Sequence, residues 1–228
     1  MAIPFTQLLS FALLAMAATA SAAETSRHYF YANTTLLGAR RQLHDMTLTS
    51  PRVTRRIQAP HAADRVSGSL GVGYQLAQPF RLELEYTLPS TGNFTGRWAP
   101  FAADDNVLQT KTQRLMMNGY VRWPLGERLS IYGMFGVGVA LISAKGWQTR
   151  RERVFEDRWN ITPAYGIGLG ADYRVTETMS LDVGYRWIDM GRIETNPNLF
   201  INRANARDEQ LQGRLREQQV YVGVRKLF

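Results

Sequence analysis

The sequence predicts an all-β chain that closes into an eight-stranded antiparallel transmembrane β-barrel, with short turns at one end and four long loops at the other. Apolar and polar residues alternate with period two in segment after segment, the mark of strands with one greasy and one polar face. The connections between these segments alternate short and long, which is the layout of a membrane barrel. Beyond Ala23, no apolar run approaches the ~18 residues that a spanning helix needs.

The strands follow in order. A first strand falls near His28 to Gly38, where the phase of the alternation is ambiguous. The second sets Val66, Leu70, Val72, Tyr74 and Leu76 against Ser67, Ser69, Gly71, Gly73 and Gln75. The third, Phe80 to Leu88, is apolar at every even position, with Arg81, Glu83 and Glu85 between. The fourth sets Leu115, Met117, Val121 and Trp123 against Arg114, Met116, Asn118, Tyr120 and Arg122. The fifth carries Leu129, Ile131, Phe135, Val137, Val139 and Leu141, and the sixth Tyr165, Ile167, Leu169, Ala171 and Tyr173. Leu181, Val183, Tyr185 and Trp187 make the seventh; Val220, Val222, Val224 and Phe228 make the eighth. Ala77-Gln78-Pro79, Pro124 to Arg128 and Val175 to Thr178 are the short turns. Ala39 to Asp64, Pro89 to Thr110, Lys145 to Arg158 and Asp189 to Gly213 are the long loops.

Alternation alone does not say which face meets lipid, since a soluble ligand-binding barrel has the same period with its apolar face inward. The polar face is small in places, as at Gly136, Gly138, Gly166, Gly168 and Gly170, which suits a cramped eight-stranded interior. The apolar face carries Tyr74, Tyr86, Trp123, Tyr173 and Trp187 towards strand ends, where an interfacial girdle sits. A shift of strand three by one residue would turn Arg81, Glu83 and Glu85 to lipid. A single Arg at the midplane costs about 2–4 kcal/mol in such barrels. The apolar face is therefore assigned to lipid. Arg81, Glu83, Glu85, Arg114, Arg122, Asp172, Arg174, Asp182, Arg186 and Arg225 then face the lumen. Desolvated charges persist when paired, so an internal ion-pair network is expected.

Leu8 to Ala18 is an apolar run followed by Thr19-Ala20-Ser21-Ala22-Ala23, a small-x-small site cleaved after Ala22 or Ala23. Met1 to Gln7 lacks the usual Lys or Arg. The expected division is a signal peptide over residues 1–22 and a barrel over 23–228. With no cysteine there is neither a disulfide framework nor a thiolate metal site. The formal charge of +8 favours acidic partners such as a phosphate-rich membrane surface. No basic helix or basic-aromatic motif supports nucleic acid.

Pro163-Ala164-Tyr165-Gly166-Ile167-Gly168-Leu169-Gly170-Ala171-Asp172-Tyr173-Arg174, with Leu181-Asp182-Val183-Gly184-Tyr185-Arg186-Trp187, resembles the Neisserial opacity porin family. The closing Tyr221-Val222-Gly223-Val224-Arg225-Lys226-Leu227-Phe228 is similar to the terminal strand of outer-membrane barrels generally, OmpA-like ones included. Lys226 departs from the pattern, since many barrels place an aromatic there. The resemblance implies a surface protein of a Gram-negative outer membrane, an adhesin acting through its extracellular loops. It also implies insertion by the barrel-assembly machinery, with Phe228 as part of the signal.

The loops have a chemistry of their own. Arg40, Arg41, Arg52, Arg55 and Arg56 fall in the first, and Arg150, Arg151 and Arg153 in the third. Arginine suits bidentate contact with phosphate, sulfate or carboxylate. These residues therefore point either to lipopolysaccharide in the outer leaflet or to a sulfated glycan or acidic host receptor. Trp98 and Trp147, with Phe94, Phe101 and Phe200, offer aromatic anchors or simply pack between loops. An enzyme is not expected: Glu83 and Glu85 stand beside Arg81 as ion-pair partners, and no nucleophile motif is present. His28, His44 and His61 lack ligand spacing, so no cofactor or metal is implied. A small passive pore remains the alternative to a loop-based binding protein.

Overall fold

The computed structural model describes residues 30–52, 54–57, 62–76, 79–98, 101–148, 153–202 and 205–228. The expected signal peptide lies outside them. The strands are β1 (Phe30–Thr49), β2 (Thr54–Arg56), β3 (Ala63–Gln75), β4 (Phe80–Trp98), β5 (Phe101–Pro124), β6 (Leu129–Gln148), β7 (Arg153–Arg174), β8 (Met179–Glu194) and β9 (Gln210–Leu227). Neighbours pair antiparallel, and β9 returns to β1 from Tyr31↔Leu227 to Thr49↔Gln210, so the sheet closes. Eight strands form the ring; β2 only adds three residues beside the outer end of β1. Closure lets backbone N–H and C=O groups pair inside hydrocarbon, where an open edge is not tolerated.

In the lower part of the barrel, next to the short turns, apolar side chains point outward as the alternation predicts. Leu70, Leu82, Met117, Ile131, Phe135, Ile167, Leu169, Val183 and Val222 are all exposed on the wall. The ambiguous first strand is resolved here: Leu36 is 63% exposed and Leu37 is 0% exposed, so Leu36 meets lipid. From Val220 to Phe228 the wall rises roughly 20 Å, at about 3.3 Å per residue and ~40° tilt, close to the ~25 Å apolar band of such barrels. Phe30, Tyr74, Phe80, Trp123 and Tyr173 ring the turn end, with Phe30 and Tyr74 packed edge to face at 4.8 Å. Tyr86, Tyr165 and Trp187 lie near the upper limit of the band, the last two 6.0 Å apart.

The four long connections differ from the expectation. Much of each is paired strand: β4 and β5 continue to Trp98↔Phe101, and β6 and β7 to Gln148↔Arg153. β5 runs on from Gln113 to Phe101, roughly 30 Å of further height at about 3.3 Å per residue and ~40° tilt. In this upper barrel the polarity is inverted. Leu43, Met46, Leu48, Phe94, Leu108, Ile142, Phe155, Met190, Ile193, Leu211 and Leu215 point inward and form one buried cluster. Thr91, Asn93, Lys111, Lys145 and Glu156 are outside and exposed. The reason is the solvent: above the lipid the outer wall meets water, so the apolar face turns inward.

Register shifts fall in or near the changeover, at His44/Thr47 in β1, Thr87/Ser90 in β4 and Asp189/Arg192 in β8. Each bulge adds twist where the wall leaves the membrane. In β8 the bulge needs Gly191, whose φ of 76° suits a residue without Cβ and whose N–H donates to Asp189 Oδ1 at 2.8 Å. The β3–β4 ladder runs only from Ser69↔Thr87 to Gln75↔Arg81. Pro89, which has no N–H to give, lies just beyond it.

A packed upper barrel makes a direct prediction. Phe155→Ala should lower unfolding stability in lipid vesicles by about 3–5 kcal/mol, the usual cost of emptying a buried Phe site. Phe135→Ala, on the lipid face, should cost clearly less. Equal urea midpoints for the two variants would mean that the upper barrel is not a packed core.

Candidate functional site

The lumen of the lower barrel is built by inward positions of every strand. Nearest the turns, Asp172 on β7 accepts Arg122 Nε at 2.9 Å and Nη2 at 2.7 Å. Arg225 on β9 bridges upward, 3.4 Å from Asp172 and 3.5 Å from Asp182. Arg81 lies 3.9 Å from Asp182 and stacks its guanidinium 3.9 Å from the Tyr120 ring centre. Glu83 accepts the Tyr120 hydroxyl at 2.9 Å and Asn33 Nδ2 at 3.3 Å. Above it Arg186 grips Glu85 through Nη1 at 2.5 Å and Nη2 at 2.7 Å, and Asn118 donates to the same carboxylate at 2.8 Å. At the top, Glu217 takes Arg41 Nε at 2.8 Å and Arg114 Nη1 at 2.9 Å. Gln219 links these two levels, accepting from Arg186 and donating to Glu217.

This ladder holds six arginines against five carboxylates, so the buried charge nearly cancels. Tyr132 and Tyr221 join hydroxyls at 2.7 Å and fill the cross-section beside it. Their rings need the small residues seen in the sequence. A Cβ on Gly170 would stand 2.5 Å from the Tyr132 hydroxyl, and one on Gly184 would stand 2.5 Å from that of Tyr221. The apolar cluster is stacked above, so buried side chains occupy the described lumen both at the ladder and over it.

Three sequence assignments are corrected by the structure. Arg174 does not join the lumen ladder; it is exposed at the turn end, where its N–H donates to Arg128 O at 2.8 Å. Arg41 is not a loop residue. It faces inward from β1, bonded to Glu217 and to Ser90 Oγ at 2.8 Å. Phe94 is likewise no surface anchor, being fully buried in the apolar cluster. Glu217, Asn118 and Gln219 carry much of the ladder without having been singled out. The signal for Glu217 was present in Leu211, Gly213, Leu215, Glu217 and Gln219, a period-two face whose apolar members point inward.

The remaining loop arginines stand at the far end or on the outer wall. Arg40 is exposed outside β1, Arg52 pairs with Asp208 at 2.6 Å, and Arg56 pairs with Asp45 at 3.0 Å. Arg153 lies over the Phe200 ring at 4.4 Å, and Phe200 packs edge to face on Phe155 at 5.7 Å. Trp147 is half-buried on the outer face of β6. Arg55 and Trp98 belong to β2 and β4 by backbone position alone, and Arg150 and Arg151 lie outside the described residues. Arg52 and Asp208 border a shallow depression lined by Thr49, Pro51, Pro197, Arg207, Asp208 and Gln210. Leu199 and Ile201, at 54% and 59% exposure, stand on the same end, far from the apolar band.

A closed antiparallel ring with an apolar belt and a charged interior defines an outer-membrane β-barrel. The chain belongs to the outer membrane protein beta-barrel domain family, whose pattern matches residues 9–225. Its place is the outer membrane of a Gram-negative cell. It is 27% identical over 147 residues to the outer membrane protein PagN of Salmonella typhimurium, covering 58% of this chain and 61% of that one. It is 28% identical over 143 residues to a candidate adhesin of Rickettsia rickettsii, covering 58% of this chain and 62% of that one. The chain thus spans about three fifths of these relatives' length. Among solved structures, OprG of Pseudomonas aeruginosa matches with a TM-score of 0.53 at 13% identity, covering 87% of this chain and 96% of that one. The protease OmpT of Escherichia coli matches with a TM-score of 0.51 at 12% identity, covering 90% and 99%. At these identities the likeness concerns fold.

The ladder predicts how the barrel responds to losing one rung. Glu217→Ala leaves two buried guanidinium groups without their carboxylate, and removing one partner of a buried pair costs about 3–5 kcal/mol. Its urea midpoint should fall well below wild type, whereas Arg174→Gln should stay within about 0.5 kcal/mol, as exposed substitutions do. Purified wild-type protein in planar bilayers should show no large, steady conductance. Stable channels that pass sugars would mean that the ladder and the apolar cluster leave an open path.

Proposed function

We propose that this protein is a surface-binding barrel of the opacity type, an adhesin whose work is done at its extracellular end. The observation that carries the reading is the tall, filled upper barrel. A passive pore has no use for a wall that continues far above the lipid around a packed interior. A binding protein does, because the extension lifts its tip away from the membrane. The tip carries the ingredients of an interface: Leu199 and Ile201 as apolar anchors, with Arg153 and Arg207 for acidic or sulfated groups. Arg52 and Arg56 contribute less free charge than their number suggests, since Asp208 and Asp45 already hold them. The relative from Rickettsia rickettsii, designated a candidate adhesin, agrees with this reading.

Phe228 fits a role in assembly. It projects outward at the turn end, and its N–H donates to Phe30 O at 2.9 Å. Its deletion should leave precursor in the periplasm, and normal amounts of heat-modifiable protein in outer membranes would contradict that role. The binding reading is tested on whole cells. Leu199→Ser with Ile201→Ser should cut host-cell adhesion while leaving the folded band intact. Arg153→Gln with Arg207→Gln should weaken the part of binding that heparin or salt competes away, since exposed charges are screened within about 8–10 Å. Adhesion unchanged by both pairs would overturn a tip-based adhesin.

A further inference from the structure

The basic residues most favourably placed are not at the tip but on the outer wall, where β8, β9 and β1 cross the upper edge of the lipid band. On β9 the outward series passes from Val224, Val222 and Val220 to Gln218, Arg216 and Arg214. Their cross-strand partners on β8 are Trp187, Asp189 and Arg192, and Gln218 also faces Arg40 on β1. Three arginines, Arg192, Arg214 and Arg216, therefore gather on neighbouring outward positions just above Trp187 of the belt, and Arg40 flanks them lower on the wall, level with Gln218.

Asp189 organises them. It is fully buried and takes Arg214 Nε at 2.8 Å and Arg216 Nε at 3.0 Å on the same oxygen. Arg214 also donates from Nη2 to the Tyr165 hydroxyl at 3.1 Å, and Arg216 lies 5.8 Å from the Trp187 ring centre. Both side chains remain about one third exposed. One carboxylate thus fixes two guanidinium groups without neutralising both. Arg192 adds a third cation, while Arg40 faces Asp64 across the β1–β3 ladder. The wall keeps excess positive charge at the level where outer-leaflet headgroups lie.

We propose that this patch binds a phosphate of an outer-leaflet glycolipid, the phosphorylated disaccharide of lipid A. Directly opposed cross-strand side chains stand about 4.5–5.5 Å apart, and successive outward ones about 6.6 Å, so two guanidinium forks reach a single phosphoryl group. Tyr165 and Trp187 border it as belt aromatics border headgroups. A soluble sulfated glycan matches the charge but not the height, because lipid occupies the wall immediately below. The site is separate from the tip and stands whether or not the protein is an adhesin.

The test uses the refolded full chain, titrated with bisphosphorylated lipid A or with fully dephosphorylated lipid A, with retained lipid counted by native mass spectrometry. Wild type should hold the phosphorylated form at least about tenfold more tightly, as expected for charge-assisted bonds. Arg214→Gln with Arg216→Gln should lose that preference, with heat-modified mobility checking the fold. Arg40→Gln with Arg192→Gln touches neither bond to Asp189, so its barrel is expected to fold, and the preference should drop severalfold. Equal retention of the two lipids by wild type overturns the proposal. So does an undiminished preference in the Arg40 and Arg192 variant, whether or not the other variant folds. Heparin binding at the patch without any preference for lipid A phosphate would assign it to a glycan instead.

Discussion

Five carboxylates and six arginines stand inside a cylinder whose outer wall is surrounded by hydrocarbon, and their mutual pairing constrains everything around them. All but Arg122, which is partly exposed near the turns, are nearly out of reach of water, and a buried charge without a partner costs several kcal/mol. The pairs are supplied by strands that are remote in sequence: Glu85 on β4 meets Arg186 on β8, and Arg41 on β1 meets Glu217 on β9. A slip of one residue in any strand would turn its charges to lipid and orphan their partners across the lumen. The ladder thus specifies register as much as it contributes stability. Neutral groups complete it, since Tyr120, Asn118 and Gln219 take up positions that the ion pairs leave open.

Above the lipid the same strands obey the opposite rule. Water outside and no hydrocarbon to face make an apolar interior favourable, at about 25 cal/mol per Å² of apolar surface removed from water. Phe94, Leu108, Ile142, Phe155 and Leu211 converge there and close the lumen over the charges. Arg41, Arg114 and Glu217 lie at the join, with Arg114 Nη1 within 3.5 Å of the Met190 sulfur of the apolar cluster. One chain therefore behaves as a membrane barrel below and a water-soluble barrel above. The bulges in β1, β4 and β8 lie near that transition.

Functional chemistry is distributed accordingly. The lumen holds paired charges, the outer wall at the transition is electropositive, and the tip combines apolar and basic groups. Membership of the outer membrane beta-barrel domain family, with similarity to an outer membrane protein of Salmonella, places the chain among outer-membrane barrels. The likeness to OprG and OmpT shows how widely this fold is shared by proteins with different roles.

Period-two alternation in segments such as Phe80 to Leu88 determined the strands, and the cost of charge in lipid determined their phase. The sequence alone thereby placed Arg81, Glu83, Glu85 and Arg186 in the lumen. It did not assign Leu36 and Leu37, because two adjacent leucines satisfy either phase until neighbouring strands choose one. Nor did it recognise Gln210 to Gln219 as strand, since the inward face there changes from apolar Leu211 and Leu215 to polar Glu217 and Gln219 while the outward face is polar throughout. Only ring closure decides which side is interior, and only height above the lipid decides which solvent the exterior meets. That is why Arg41 read as a loop ligand yet lies buried against Glu217, and why Arg214 and Arg216 came to light only once Asp189 had gathered them on the wall.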